Sequence, residues 1–336
     1  MHQQMRPVEQ APERVAWVLD ASWPEIASMV AAAFGPDDQL IAPGILPGWP
    51  SRYRWPFPSS HTAVAATARR HWAMRRVAKS PGALRQQVYL ENDRLLAREF
   101  AGRIDYRARH LVVAQSWLPW IDECGALGGR TFDVVMSRYP FEAIHRLLDE
   151  AAAEIGRSST IADFRAPTEL VARETDLLAR ARRIFTPHHG IAALFQRQAV
   201  KLAWHKPPAR QRRVGSRTAF LGPTIARQRP DIARQLAARL TEPLVVFGPI
   251  VEPMWDGVPI EPRQLGPNWL DGIGAILHPA TLTHEPRGLL EARAGGVTIY
   301  ATESCGLDPA DYLPLERFGS GDTDPKCAPR PVASVA

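Results

Sequence analysis

The stretch Ile276–Leu307, ILHPATLTHEPRGLLEARAGGVTIYATESCGL, decides the fold. It reads as an apolar strand, a loop carrying Glu285, a short helix carrying Glu291, a Gly295-Gly296 stop and a second apolar strand. Such a parallel strand–helix–strand unit aims its loop and helix start at the carboxyl edge of the sheet, where α/β proteins take their ligands. Free N–H groups and the positive end of the helix dipole at that edge suit a phosphate.

Working outward, His205–Ser216 (HKPPARQRRVGS) is polar, basic and interrupted by proline, which marks it as a linker. Beyond it Thr218–Leu221, Arg229–Leu240 and Leu244–Phe247 form another strand–helix–strand unit, followed by a long loop over 248–268. Before it, Arg14–Asp20, Trp23–Phe34 and Gln39–Ala42 open the chain in the same style. Pro43–Pro58 is too rich in proline, glycine and aromatics to be a helix or central strand. Helices are expected over His61–Lys79 and Gly82–Ala101, and buried strands over His110–Ser116 and Phe132–Ser137. The reading predicts an N-terminal Rossmann-like domain over 14–204, a linker over 205–216 and a C-terminal one over 217–317. The ends, 1–13 and 318–336, read as disordered.

The chain has 336 residues and an apolar fraction of 45%, enough for two buried cores. Three cysteines, odd in number and far apart, fit neither a disulfide framework nor a zinc site, so a reducing cytoplasm is the expected setting. The N-terminus lacks the apolar core of a signal peptide, and the run Ile26–Phe34 is too short to span a bilayer. Walker loops, Gly-x-Gly-x-x-Gly after the first strand, His-Glu-x-x-His and Cys-x-x-Cys are all missing. Charge is unevenly spread. Between Leu177 and Pro230 there are twelve Lys and Arg and no Asp or Glu, a pattern that attracts anions. No basic–aromatic motif of a nucleic-acid module accompanies it.

The segment holding Glu285, Gly288-Leu289-Leu290-Glu291-Ala292, Ala294, Gly295 and Val297–Thr302 resembles the donor-sugar region of GT-B glycosyltransferases, especially the retaining glycosyltransferase family 4. That family has two Rossmann-like doubly wound α/β domains facing a central cleft. The resemblance implies a glycosyltransferase that uses a nucleotide-diphosphate sugar as substrate, with no further cofactor and no metal. Glu291 matches the family's ribose-binding glutamate. Its seven-residue spacing places the first glutamate at Thr283, whereas this chain has Glu285 two positions later. Gly222 matches the glycine after the first C-terminal strand. Pro223 stands where the family has arginine, and Arg229 is the nearest counterpart of its lysine, with Arg227 a second candidate.

On this reading Glu291, Arg229, Arg227, Gly222, Gly288 and Leu289 hold the donor, and the diphosphate leaves against the two guanidinium groups. Glu285 is a catalytic candidate beside the sugar. Asp20, at the end of the first strand, stands where an inverting enzyme of this plan keeps its base. His188 and His189 follow a strand end on the acceptor side. The acceptor is a saccharide, lipid-linked or small molecule. The helix with Arg69, Trp72, Arg75 and Arg76 suggests peripheral contact with the inner membrane face. An epimerase of the same plan, or a degenerate module that binds carbohydrate or a partner protein, are the rival readings.

Overall fold

The computed structural model describes residues 14–44, 53–55, 57, 60–156, 158–209 and 211–319. The expected disordered ends therefore lie mostly outside the described residues. Phe318, assigned to the tail, is an exception: it is buried and packs edge-on against Tyr300.

Along the chain come Val15–Val18 (β1), Pro24–Ala33 (α1), Gln39–Pro43 (β2), Ser60–Ala63 (β3), Val64–Arg76 (α2) and Gly82–Ala101 (α3). His110–Ala114 (β4), Leu118–Glu123 (α4), Thr131–Val135 (β5), Phe141–Ile155 (α5), Thr168–Arg180 (α6), Ile184–Thr186 (β6), His189–Leu194 (α7) and Ala199–Lys201 (β7) follow. Arg217–Leu221 (β8), Pro230–Ala237 (α8), Leu244–Phe247 (β9), Ile260–Arg263 (β10), Ile273–His278 (β11), Arg287–Ala294 (α9), Thr298–Ala301 (β12) and Leu313–Pro314 (β13) complete the order.

Two sheets result, ordered β3-β2-β1-β4-β5-β6-β7 and β10-β9-β8-β11-β12-β13. Both are doubly wound, with the strand order reversing beside β1 in the first and beside β8 in the second. The paired Rossmann-like sheets are those expected of a GT-B chain. By compactness the described residues fall into two units. One takes 14–78, 87–135 and 176–185; the other takes 79–86, 136–175 and 186–319.

In the second sheet, register explains how the strands bury both faces. Ala219 pairs with Val245 and Ile276, while Phe220 pairs with Val246 and Leu277. Ala219, Val245 and Ile276 share a core with Leu289, Leu290 and Ala292 of α9. Phe220, Val246 and Leu277 share the opposite core with Ala233 and Ala237 of α8. Each fully buried leucine contributes roughly 1.5–3 kcal/mol. Pro230 opens α8 at a position where its missing N–H costs nothing and its ring presets the backbone.

Three strands lie outside the expected set: Ser60–Ala63, Ile260–Arg263 and Leu313–Pro314. The helix expected over His61–Lys79 begins only at Val64, because Ser60–Ala63 pairs in parallel with Leu40–Pro43. The edge of β2 supplies backbone partners that outweigh the polar character of Ser-His-Thr. Likewise Ile260–Arg263, inside the expected loop, pairs with Leu244–Phe247.

Candidate active site

The second sheet reverses order between β8 and β11, so the loops that leave these neighbouring strands diverge at its carboxyl edge, the place where a doubly wound sheet takes a ligand; the site they border is called the crevice below. Gly222–Gln228 forms one wall and Pro279–Pro286 the other. The contacts of these two walls lie within the second compact unit.

The first wall starts at Gly222, whose N–H donates to the Phe247 carbonyl at 2.8 Å. A Cβ there would stand 2.3 Å from the same oxygen, so only glycine fits. The Trp255 indole donates to Thr224 Oγ1 at 3.1 Å, and Ala226 N–H donates to Thr160 Oγ1 at 2.8 Å. Thr160 is itself held: its N–H and the Ser158 and Ser159 hydroxyls all donate to one oxygen of Glu252 at 2.8–2.9 Å. Arg227, on the turn that follows, is therefore fixed from two sides. The Thr281 N–H, donating to its carbonyl at 2.8 Å, ties the two walls together.

The second wall is pinned by Thr283. Its Oγ1 lies 2.7 Å from His278 Nε2, and its carbonyl accepts from His188 Nε2 at 2.7 Å. Because His188 Nδ1 accepts the Ile191 N–H at 3.2 Å, the ring carries its hydrogen on Nε2. Thr302 and Ser304 hydroxyls both donate to the Ala280 carbonyl, at 2.7 and 3.1 Å.

With the backbone so held, four side-chain atoms of the two walls are shielded from solvent and lack any hydrogen-bond partner: Arg227 Nε, Gln228 Oε1, Thr281 Oγ1 and His284 Nδ1. Among the described residues no carboxylate pairs with Arg227; its guanidinium lies 4.4 Å over the Phe164 ring. Burial lowers the Arg227 pKa, with Asp163 the nearest opposing charge. Burial, then Arg227, holds His278 down to about 4. Burial, then Arg227, Arg138 and His188, pushes His284 well below the ordinary histidine value. Burial is the first cause of all three, and the Arg227 charge comes second for both histidines; that charge, with polar atoms lacking partners and a fixed backbone, suits an anion with several oxygens.

The residues named from sequence fall in different places. Arg227 is in the crevice and Gly222 forms its floor. Arg229 is elsewhere: it caps α8 with φ of 54°, and its guanidinium is held by Asp231 at 2.9 Å and Glu154 at 2.7 Å. Glu291, a turn into α9, lines a hollow with Pro208, Gln211, Arg212, Trp269 and Asp271, near the amino edge of the sheet. Neither arginine lines that hollow, so Glu291 and Arg229 do not converge on one shared pocket. Gly288 sits in the first turn of α9, its Cα facing Leu221, and Leu289 is buried in the core. Glu285 is half-buried between His284 and the start of α9.

His188 does not face an open surface. It is fully buried and serves as a peg under the second wall, and burial lowers its pKa to about 4. His189 is partly exposed beside Lys201 and Asp308. Asp20, in the first unit, leaves β1 at the reversal point of the first sheet. Its Oδ1 is shielded without a partner, and its carbonyl accepts from the Trp55 indole at 3.0 Å. Sequence reasoning passed over Thr281 and His284, although both lie on the loop it had singled out.

No family model and no curated protein sequence matches the chain. Among solved structures, it is similar to a sucrose-phosphate synthase from Thermosynechococcus elongatus, at 10% identity, covering 86% of this chain and 81% of that one, with a TM-score of 0.45. It is similar to the calicheamicin glycosyltransferase CalG4 at 13% identity, with 88% and 81% covered and a TM-score of 0.43. A third, LpCGTa in complex with UDP, is 14% identical over 94% and 87%, with a TM-score of 0.39. These are remote likenesses of fold.

Proposed function

We propose that the protein is a glycosyltransferase that binds a nucleotide-diphosphate sugar at the crevice between the β8 and β11 loops. One observation carries this reading: the Arg227 guanidinium stands at the switch point of a doubly wound sheet with no carboxylate paired to it among the described residues, and Gln228 Oε1, Thr281 Oγ1 and His284 Nδ1 on the same two loops also lack partners. A buried charge without a counter-charge is costly unless a ligand supplies one. The diphosphate supplies it. Arg227 and His284 grip its oxygens, Thr281 adds a hydroxyl, and the start of α9 faces the same edge. As the glycosidic C1–O bond breaks, these groups stabilise the charge gathering on the departing diphosphate, so transfer proceeds without a metal.

The resemblance in sequence assigns the ribose to Glu291 and a place beside the sugar to Glu285. Asp20 is the base for an acceptor hydroxyl, if the reaction inverts. The retaining course, implied by the resemblance in sequence, uses no such base. The acceptor is a saccharide, lipid-linked or small molecule.

A thermal-shift screen of nucleoside diphosphates and their sugar conjugates tests the reading, because a ligand that binds only the folded state raises the melting temperature. A rise with at least one conjugate, absent in Arg227→Met, is the expected result. No rise with any of them would overturn it. Transfer is then separated from epimerisation or mere binding by product analysis with a saccharide acceptor.

A further inference from the structure

The donor site leaves one feature of the first unit without a role. Helix α2 has no acidic residue from Val64 to Arg76. Its buried side holds Thr67 and Arg70, the latter paired with Asp93 at 2.9 Å and stacked 4.5 Å from the Tyr89 ring. The opposite face presents Ala65, Arg69, Trp72 and Arg76 at helical spacing, with Arg75 beside them, and all are exposed. Trp72 is 62% exposed, far more than the core tryptophans such as Trp117 at 0%. Among the described residues no carboxylate pairs with Arg69, Arg75 or Arg76.

We infer that this face of α2 docks on an anionic lipid bilayer. An indole ring has its best environment at the boundary between headgroups and acyl chains, and it draws little from water alone. Three unpaired guanidinium groups around it meet lipid phosphates at the depth where the ring sits, and each basic group strengthens attachment to an anionic leaflet. The shape also selects the surface. Because its other side is packed against the protein, α2 can offer only a shallow stripe, which fits a plane. A single exposed ring makes no stacking platform for successive bases. This inference does not depend on the donor site.

The test is flotation of the full chain with vesicles of phosphatidylglycerol and phosphatidylcholine in equal parts, against vesicles of phosphatidylcholine alone. The native chain is expected to float with the anionic vesicles and to stay behind with the neutral ones. Arg75→Glu/Arg76→Glu should lower the bound fraction by about tenfold or more, since each reversal turns an attraction into a repulsion. Trp72→Ala should weaken binding at every salt concentration. All three positions are exposed, so circular dichroism and melting should be unchanged in these variants. Equal flotation with both vesicle types, or undiminished flotation of the charge-reversed variant, would overturn the inference. So would binding to a single-stranded RNA with no binding to vesicles.

Discussion

The guanidinium carbon of Arg227 lies 4.4 Å from the centre of the Phe164 ring, and Phe164 holds that ring in place with a backbone φ of 68°. A bulky residue in the left-handed region is strained and persists only where its surroundings force it. Here the strained turn carries an aromatic face under a cation that has no carboxylate. The stacking orients Arg227 without neutralising it, which leaves its charge available to a ligand.

Removing that charge should make the unliganded protein more stable while destroying its purpose. Arg227→Met keeps an unbranched apolar stem over Phe164 and deletes a largely buried, uncompensated cation. The folded state should gain about 1–2 kcal/mol in urea unfolding. Affinity for a nucleotide sugar should fall by about 1.5–3 kcal/mol in calorimetry. A variant that is less stable and binds normally would show that Arg227 is structural.

Donor binding should take up protons. Unliganded His284 is neutral near pH 7, because burial and its neighbours Arg227, Arg138 and His188 depress its pKa. Of the carboxylates in these surroundings, Glu174 is bound to Arg138 and Asp163 faces Arg227; Glu285 follows in sequence. A diphosphate reverses the local potential and raises the imidazole pKa, so a proton enters with the ligand. The sign follows: affinity is highest at low pH and falls as pH rises through the bound-state pKa. Calorimetry with the nucleotide sugar that raises the melting temperature, in buffers of different ionisation heat, reads the uptake directly. Heats independent of buffer would refute it, and His284→Gln should bind without buffer dependence.

Ribose and diphosphate contacts should separate by variant. Glu291→Ala is expected to cost about 1.5–3 kcal/mol in nucleotide-sugar affinity, the worth of a charge-assisted hydrogen bond. It should leave inorganic pyrophosphate binding unaltered, since pyrophosphate has no ribose. Arg227→Met should weaken both ligands. If Glu291→Ala had no effect on either, its hollow beside Trp269 would have nothing to do with the donor.

In the first unit, Asp133 should set acid stability. Its fully buried carboxylate accepts from His110 Nε2 at 3.0 Å and from Arg183 at 2.6 Å. Burial pushes its pKa up, but the two hydrogen bonds and the charges behind them win, so it lies below the usual carboxylate value. The stabilisation is therefore complete above the unfolded pKa, near 3.9, and is lost as pH falls through the folded one. Asp133→Asn should cost about 2–3 kcal/mol at pH 7, allowing for the half-exposed Arg183. The difference from native should vanish in urea melts at strongly acid pH.

Most of the fold was legible in the sequence because parallel strands are buried on both faces and read as apolar runs, as in Leu244–Phe247 and Ile273–His278. The edge strands Ser60–Ala63 and Ile260–Arg263 lack that signature; their backbone partners, not their side chains, place them. At the site, the loop is legible in the sequence, but which of its side chains lack partners is not. Arg227 and Arg229 are two residues apart and chemically alike. Only the left-handed backbone at Arg229 turns one toward Asp231 and Glu154 and leaves the other in the crevice. His284 stands next to Glu285, whose carboxylate drew the reading although it lies two positions from the family spacing.

The most direct measurement is a crystal structure with a nucleoside diphosphate bound. The account predicts phosphate oxygens within hydrogen-bonding distance of Arg227 and His284 Nδ1, with Thr281 Oγ1 turned toward them. Diphosphate seated instead at Arg229, or in the hollow beside Trp269 with Arg227 still bare, would contradict it.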